Sequence, residues 1–178
     1  EDGRFSYEQL SGNLDYALIP EKNTAPKNGV STLDIIKIRK HLIAAEIFDS
    51  PYKYIAADVD QSGTISTLDL IQTRKLILGL IDDFPNNESW RFVPVTHESA
   101  AKKNPLKSKY PEIAVVSSDA ANKAQVDFMG IKIGDVDYSA QSNGLTNSER
   151  RNQKEALFFE LADQSFEAGQ TVVATFKA

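Results

Sequence analysis

The stretch DVDQSGTISTLD, residues 58–69, sets Asp58, Asp60 and Ser62 at alternate positions, then Gly63, with Ser66 and Asp69 at the head of an apolar run. Counted from Asp58, positions one, three and five carry short oxygen-bearing side chains. Position six is the glycine, where a tight loop needs a backbone free to turn left-handed. Position seven, Thr64, offers its carbonyl, and position eight, Ile65, suits an anchor to a core. Positions nine and twelve are Ser66 and Asp69. Two ordinary readings cover part of this: STLD is a helix capping box, and DQSG is common turn chemistry. Neither explains Asp58 and Asp60, whose mutual repulsion calls for a counter-ion.

The spacing is the ligand scheme of an EF-hand calcium loop, with Asp in place of Glu at the last position. Hard oxygen donors without a neighbouring His or Cys favour Ca²⁺ over zinc or copper. The expected ligands are therefore Asp58, Asp60, Ser62, Thr64, Ser66 and Asp69.

An internal repeat surrounds this loop. Residues 30–44, VSTLDIIKIRKHLIA, align with 65–79, ISTLDLIQTRKLILG, and seven of fifteen positions are identical. The offset of 35 residues marks a duplicated loop–helix unit. The first copy ends in Asp34, but EKNTAPKNG before it lacks the leading acids, and only Asn23 and Asn28 offer evident side-chain donors. Far downstream, KIGDVDYSA supplies the missing half: Asp135, Asp137 and Ser139 repeat positions one, three and five. One segment holds the front ligands and the other the back. The two are expected to meet and complete a second calcium site; otherwise Asp34 is a helix cap, and Asp135 and Asp137 flank a surface turn.

Around these units the pattern alternates between strand and helix, predicting an α+β fold. Phe5 and Tyr7, then Leu14, Tyr16 and Leu18, read as two short strands with SGN between them. A helical pattern covers Val30 to Phe48, with Ile35, Ile38, Leu42 and Ile47 on one side. A short helix over 51–57 has Ser50 as its cap and Pro51 in its first turn. A third helix covers 69–80, with Gly79 near its end. SWRFVPV and VDFMGIKIGDVD read as strands, the second with Met129, Ile131 and Ile133 on one face. The expected organisation is the end of a β-sandwich-like domain over 1–20, a calcium-binding module over 21–140 with an insertion at 82–127, a linker over 141–155, and the start of a second β-sandwich-like domain over 156–178.

Composition narrows the function classes. The 178 residues are 41% apolar, enough for a core, and the net charge of −5 argues against nonspecific nucleic-acid binding. No apolar run approaches a membrane span. Cysteine is absent, which removes disulfides, thiol catalysis and Cys-based zinc sites. The first residue is Glu1, compatible with a leader already removed. A secreted chain without disulfides needs another staple, and a metal is one.

The duplicated loop–helix unit, with Asp at position twelve, resembles the dockerin family over about residues 28–81. The resemblance is specific in DVDQSGTISTLDLIQTRKLILG and partial in the first copy. NGVSTLD, SPYKYIAADVD, FPNNESWRFVP and IKIGDVDYSA are similar to a dockerin-like module of large secreted proteins from Bacteroidetes-type bacteria. GRFSYEQLSGNLDYALIP resembles the end of a carboxypeptidase-regulatory-like or Cna-B-like sandwich, and FFELADQSFEAGQTVVATFKA the start of a cohesin-like one. The resemblance implies an extracellular, calcium-dependent scaffolding or recognition module. Dockerins contact cohesin partners through loop positions ten and eleven, which here are Thr67 and Leu68, and Thr32 and Leu33. The incomplete first loop, the long insertion and the placement within a longer chain favour a metal-stabilised joint in a surface or fibre protein. The alternative is a cohesin-type recognition module anchoring a secreted protein, a polysaccharide-degrading one included. Strand-like segments at both ends also allow head-to-tail pairing between copies.

No active site is read in the chain, so it is expected not to be an enzyme. His41 falls within a helix where the repeat has Leu76, which predicts a packing role; His97 is assigned none. Asp82 and Asp83 follow a helix end and read as solvated. KKNPLKSK, 102–109, is a modest basic loop, and GIKIGD lacks phosphate-loop spacing. Trp90 and Phe92 read as core packing in preference to carbohydrate stacking.

Overall fold

In a computed structural model, the protein is described over residues 5–6, 14–96, 104–107, 110–117 and 125–141, and over 172–177 by its backbone. It is a mixed α+β arrangement. In chain order it has β1 (Tyr16–Glu21), α1 (Thr32–Leu42), α2 (Pro51–Ala57), α3 (Thr67–Ile77), β2 (Trp90–Pro94), β3 (Ala114–Val116), β4 (Phe128–Lys132) and β5 (Val172–Lys177). A short 3-10 turn covers Pro105–Lys107.

Both long helices begin the same way. Ser31 and Ser66 sit in extended conformation, their hydroxyls accept a first-turn N–H, and Asp34 and Asp69 complete a capping box on each. α2 is capped by Ser50 and starts on Pro51, whose missing N–H costs nothing in a first turn.

α1 ends at Leu42, short of the Phe48 expected from the apolar spacing. Ala44 turns left-handed at φ +55°, and the N–H groups of Ala44 and Ala45 bond back to His41 and Lys40. That is a Schellman stop, and Gly79 makes the same one after α3. α3 accordingly ends at Ile77, before the expected 80, and Ile47 is exposed instead of lining the helix face.

The core gathers Ile38 of α1, Leu76 of α3, Ile55 and Ala56 of α2, and Ile131 of β4. Val59 and Val136, at position two of the intact and split loops, are fully buried in it. β2 and β4 pair antiparallel with Trp90 opposite Lys132 and Val93 opposite Met129. Ile133, expected on the same strand face as Ile131, lies just past the end of β4 but is buried; Met129 is exposed. Ile133 N–H bonds to the Ser89 carbonyl and Gly134 N–H to the Ala56 carbonyl at 2.8 Å, which seats residues 133–136 against α2.

β1 lies between β3, antiparallel, and β5, parallel, with Tyr16 opposite Val116 and Val172. The strand therefore crosses residue 20 and pairs with a strand from the 82–127 segment. Tyr7, the linker beyond residue 141 and His97 lie outside the described residues. Among the described residues no helix is long and apolar enough to cross a membrane.

Candidate metal centre

The intact loop is drawn together by its own carboxylates. Asp69 Oδ2 accepts the Ser66 N–H at 2.7 Å, while its Oδ1 turns away from the helix to accept the N–H of Val59 at 2.9 Å. One side chain thus performs the cap and holds the front of the loop against the helix. The capping reading and the ligand reading of Asp69 are two faces of the same group. Asp58 Oδ1 and Oδ2 accept the N–H groups of Ser62 and Gly63, both at 2.9 Å. Asp60 Oδ1 also accepts from Ser62 N–H, and the Ser62 hydroxyl donates to the Thr64 carbonyl at 3.0 Å. Ser66 Oγ is engaged by Asp69 and by the Leu68 N–H.

Residues 28–34 and 135–141, more than a hundred positions apart, build the same loop. Asp34 Oδ2 accepts the Ser31 N–H at 2.8 Å, and its Oδ1 accepts Val136 N–H, also at 2.8 Å. Asp135 Oδ1 and Oδ2 accept the N–H groups of Ser139 and Ala140 at 3.2 and 2.7 Å. Asp137 Oδ1 accepts from Ser139 N–H. The Ser139 hydroxyl donates to the Gly29 carbonyl at 3.0 Å, as Ser62 does to Thr64. Position four is left-handed in both loops, at Gln61 (φ +58°) and Tyr138 (φ +62°). Gly29 thus occupies position seven, and Ala140 position six.

In each loop three carboxylates bring one oxygen apiece within 4.8 Å of the others: Asp58, Asp60 and Asp69, and Asp34, Asp135 and Asp137. Either group could hold a metal ion. Among the described residues none of the six is bridged by a Lys, Arg or His. Lys132, itself buried, spends its ammonium on the Pro26 and Ile133 carbonyls, and burial draws its pKa down to about 8 against the pull of Asp135 and Asp34. Burial pushes Asp58 up to about 6, against the lowering effect of the Gly63 N–H, with Asp60 and Asp69 raising it further. Asp135 is likewise pushed up to about 6 by burial, with Asp137 and Asp34 adding to it. Burial raises Asp34 and Asp69 as well. Asp137 goes the other way: burial would raise it, but hydrogen bonds from Ser139 and Asp135 outweigh that. Burial, with the neighbouring carboxylates adding to it, thus favours the protonated form of Asp58 and Asp69 in one trio and of Asp34 and Asp135 in the other.

The donor set fits a hard divalent cation: carboxylates, hydroxyls and backbone carbonyls, with no sulfur and no imidazole in either cluster. Four groups that secure the loops were not picked out as site residues from sequence. They are the Gly29 carbonyl, the Asn28–Gln141 amide pair, Lys132, and Asn87, whose Nδ2 donates to the Asp58 carbonyl at 3.1 Å. The 35-residue offset applied to Thr64 does point to Gly29, and Asn28 is one of the two evident donors before Asp34; Gln141, Lys132 and Asn87 carry no such signal. Asn23, by contrast, is used elsewhere, accepting the Ser89 N–H.

Thr32, Leu33, Thr67 and Leu68 are all exposed, at the first turns of α1 and α3. His41 stacks on Phe48 at 4.1 Å and meets Tyr54 edge-on. Its Nδ1 accepts the Phe48 N–H, which makes it a packing residue at the end of α1. Trp90 is buried, while Asp82 and Asp83 are solvated.

Compared with family models, with curated proteins and with solved structures, the chain has no match. The dockerin resemblance rests on the sequence of the duplicated loop–helix unit and its flanking motifs.

Proposed function

We propose that the chain is an extracellular calcium-binding module that acts as a metal-stabilised joint in a multidomain bacterial surface or fibre protein. One observation carries this reading: two carboxylate trios, each with two buried members and one half-buried, share the same hydrogen-bonded frame, although one is contiguous in sequence and the other is assembled from both ends of the module. Asp58, Asp60 and Asp69 with Ser62 and the Thr64 carbonyl would hold one ion. Asp135, Asp137 and Asp34 with Ser139 and the Gly29 carbonyl would hold the other. Calcium supplies the positive charge each trio lacks, and its binding free energy becomes folding free energy. Calorimetric titration of chelator-treated protein tests this directly. Two ions per chain are expected; no ion would sink the reading.

A second reading has its own observation. The Thr-Leu pairs 32–33 and 67–68 are exposed in both repeats, as a protein partner of cohesin type would require. Replacing all four by charged residues should abolish capture of such a partner without unfolding the module. Retained capture would discard it. Pairing of β5 with β1 between copies, instead of within one chain, would give head-to-tail polymers, visible as a ladder by light scattering.

A further inference from the structure

The break in the second loop lies between position six, Ala140, and position seven, Gly29. In the intact loop the same two positions, Gly63 and Thr64, are joined by a peptide bond. Across the break the backbones nearly touch: a Cβ built on Gly29 would lie 2.5 Å from both the Cα and the N of Ala140. Just outside it, Asn28 Nδ2 donates to the Gln141 carbonyl at 2.6 Å, and Gln141 N–H donates to Asn28 Oδ1 at 3.2 Å. Residues 28 and 141 thus lie side by side, held together only through non-covalent contacts.

We infer that the split loop is a calcium-operated latch that holds the entering segment (residues 28–34) against the leaving segment (residues 135–141). This rests on the calcium reading above and adds a task to one site only. Position one to five ligands belong to the leaving segment, while positions seven and twelve belong to the entering one. An ion there bridges two chain segments, whereas an ion in the 58–69 loop bridges residues already joined by a short stretch of backbone. Without the ion, Asp34 faces Asp135 and Asp137 with no cation between them, and their repulsion acts directly across the break. The intact loop can loosen and remain a loop. The split one, once loosened, lets residues 28 and 141 part.

The absence of cysteine makes this measurable in the full chain. Nitroxide labels on Lys27→Cys and Gln141→Cys report the separation of the two segments through dipolar broadening of their spectra. Strong broadening is expected with calcium, and its loss with chelator. Asp135→Asn with Asp137→Asn should lose the broadening even in calcium, whereas Asp58→Asn with Asp60→Asn should keep it. Calorimetry on the same labelled protein separates the two ideas. Two bound ions with broadening indifferent to chelator would overturn the latch and leave the calcium module standing. Broadening lost equally in both double variants would overturn it too, since the two sites would then act only through overall stability. No bound ion would overturn both.

Discussion

Gly29 meets Ala140 so closely that any side chain at residue 29 would strike the Ala140 backbone, and Gly29 is also left-handed at φ +74°. Gly63 is left-handed too, at φ +81°, but a Cβ there would find only the Leu106 carbonyl, at 3.8 Å. The two glycines therefore make separable demands. Gly63→Ala should cost about 1–2 kcal/mol, the price of a left-handed alanine. Gly29→Ala should cost more than that and reduce calcium stoichiometry from two to one, because the break can no longer close. Urea denaturation and calorimetry read both. Equal costs for the two would remove the argument that the contact at the break matters.

The carboxylates also divide by role. Asp58→Ala strands the Ser62 and Gly63 N–H groups but deletes a charge from a repelling trio, so its cost without metal should be smaller than that of Asp69→Ala. In calcium it should lower Tm and erase most of the calcium-induced gain. Asp69→Ala should be costly even in chelator, by about 1–3 kcal/mol, because it strands the buried Val59 N–H and undoes the cap on Ser66. Thermal melts of both variants, with and without calcium, give the four values needed. An unchanged calcium gain in Asp58→Ala would remove that residue from the site.

The end of α1 offers a test free of metal. Ala44 holds the left-handed stop position that Gly79 holds after α3. Ala44→Gly removes the Cβ clash of that conformation and should stabilise the chain by about 1 kcal/mol, somewhat reduced by the added freedom of glycine in the unfolded state. Gly79→Ala should show the reverse. A destabilised Ala44→Gly would mean that the stop is held by something other than local backbone geometry.

That stop also explains where the sequence misled. Ile47 continues a helical spacing, yet an alanine gives no warning that the backbone turns left-handed, so the spacing alone extends the helix to Phe48. Where side-chain chemistry is local it is legible in the sequence: Ser50 and Ser66 announce their helices, and the acids of 58–69 that cluster in space stand within twelve residues of one another. The split site was legible only through duplication, since Asp34 and Asp135 carry no signal of contact except their resemblance to Asp69 and Asp58. What the sequence could not carry was pairing at a distance. β3 is three residues long and lies in the 82–127 insertion beyond the basic loop, where no strand is predicted, and its partner β1 stands nearly a hundred residues away in sequence. Lys132 is hidden for the same reason, because an alternating strand gives no hint that its ammonium is buried under the Pro26 carbonyl.

Proton linkage gives the sharpest test of whether the trios want cations. Asp58 and Asp135 have ordinary values of 3.8 and are pushed to about 6 by burial, with Asp34 and Asp69 raised in the same direction. Above the raised value these groups are ionised in both folded and unfolded chains, and the folded state bears the full repulsion. As pH falls through about 6 the folded state takes up protons first, so the metal-free protein should become more stable, until near 3.8 both states are protonated. His41 opposes this, because burial lowers it from 6.5 and its Nδ1 must stay unprotonated to accept the Phe48 N–H. Its contribution is present above 6.5 and lost as pH falls, so His41→Gln should steepen the acid-side gain. With calcium the sign reverses: protons now compete with the ion for the same oxygens, and stability falls with pH. Melts in chelator and in calcium, from neutral pH down to about pH 5, should therefore slope in opposite directions. Parallel slopes would mean that neither trio exchanges protons for metal.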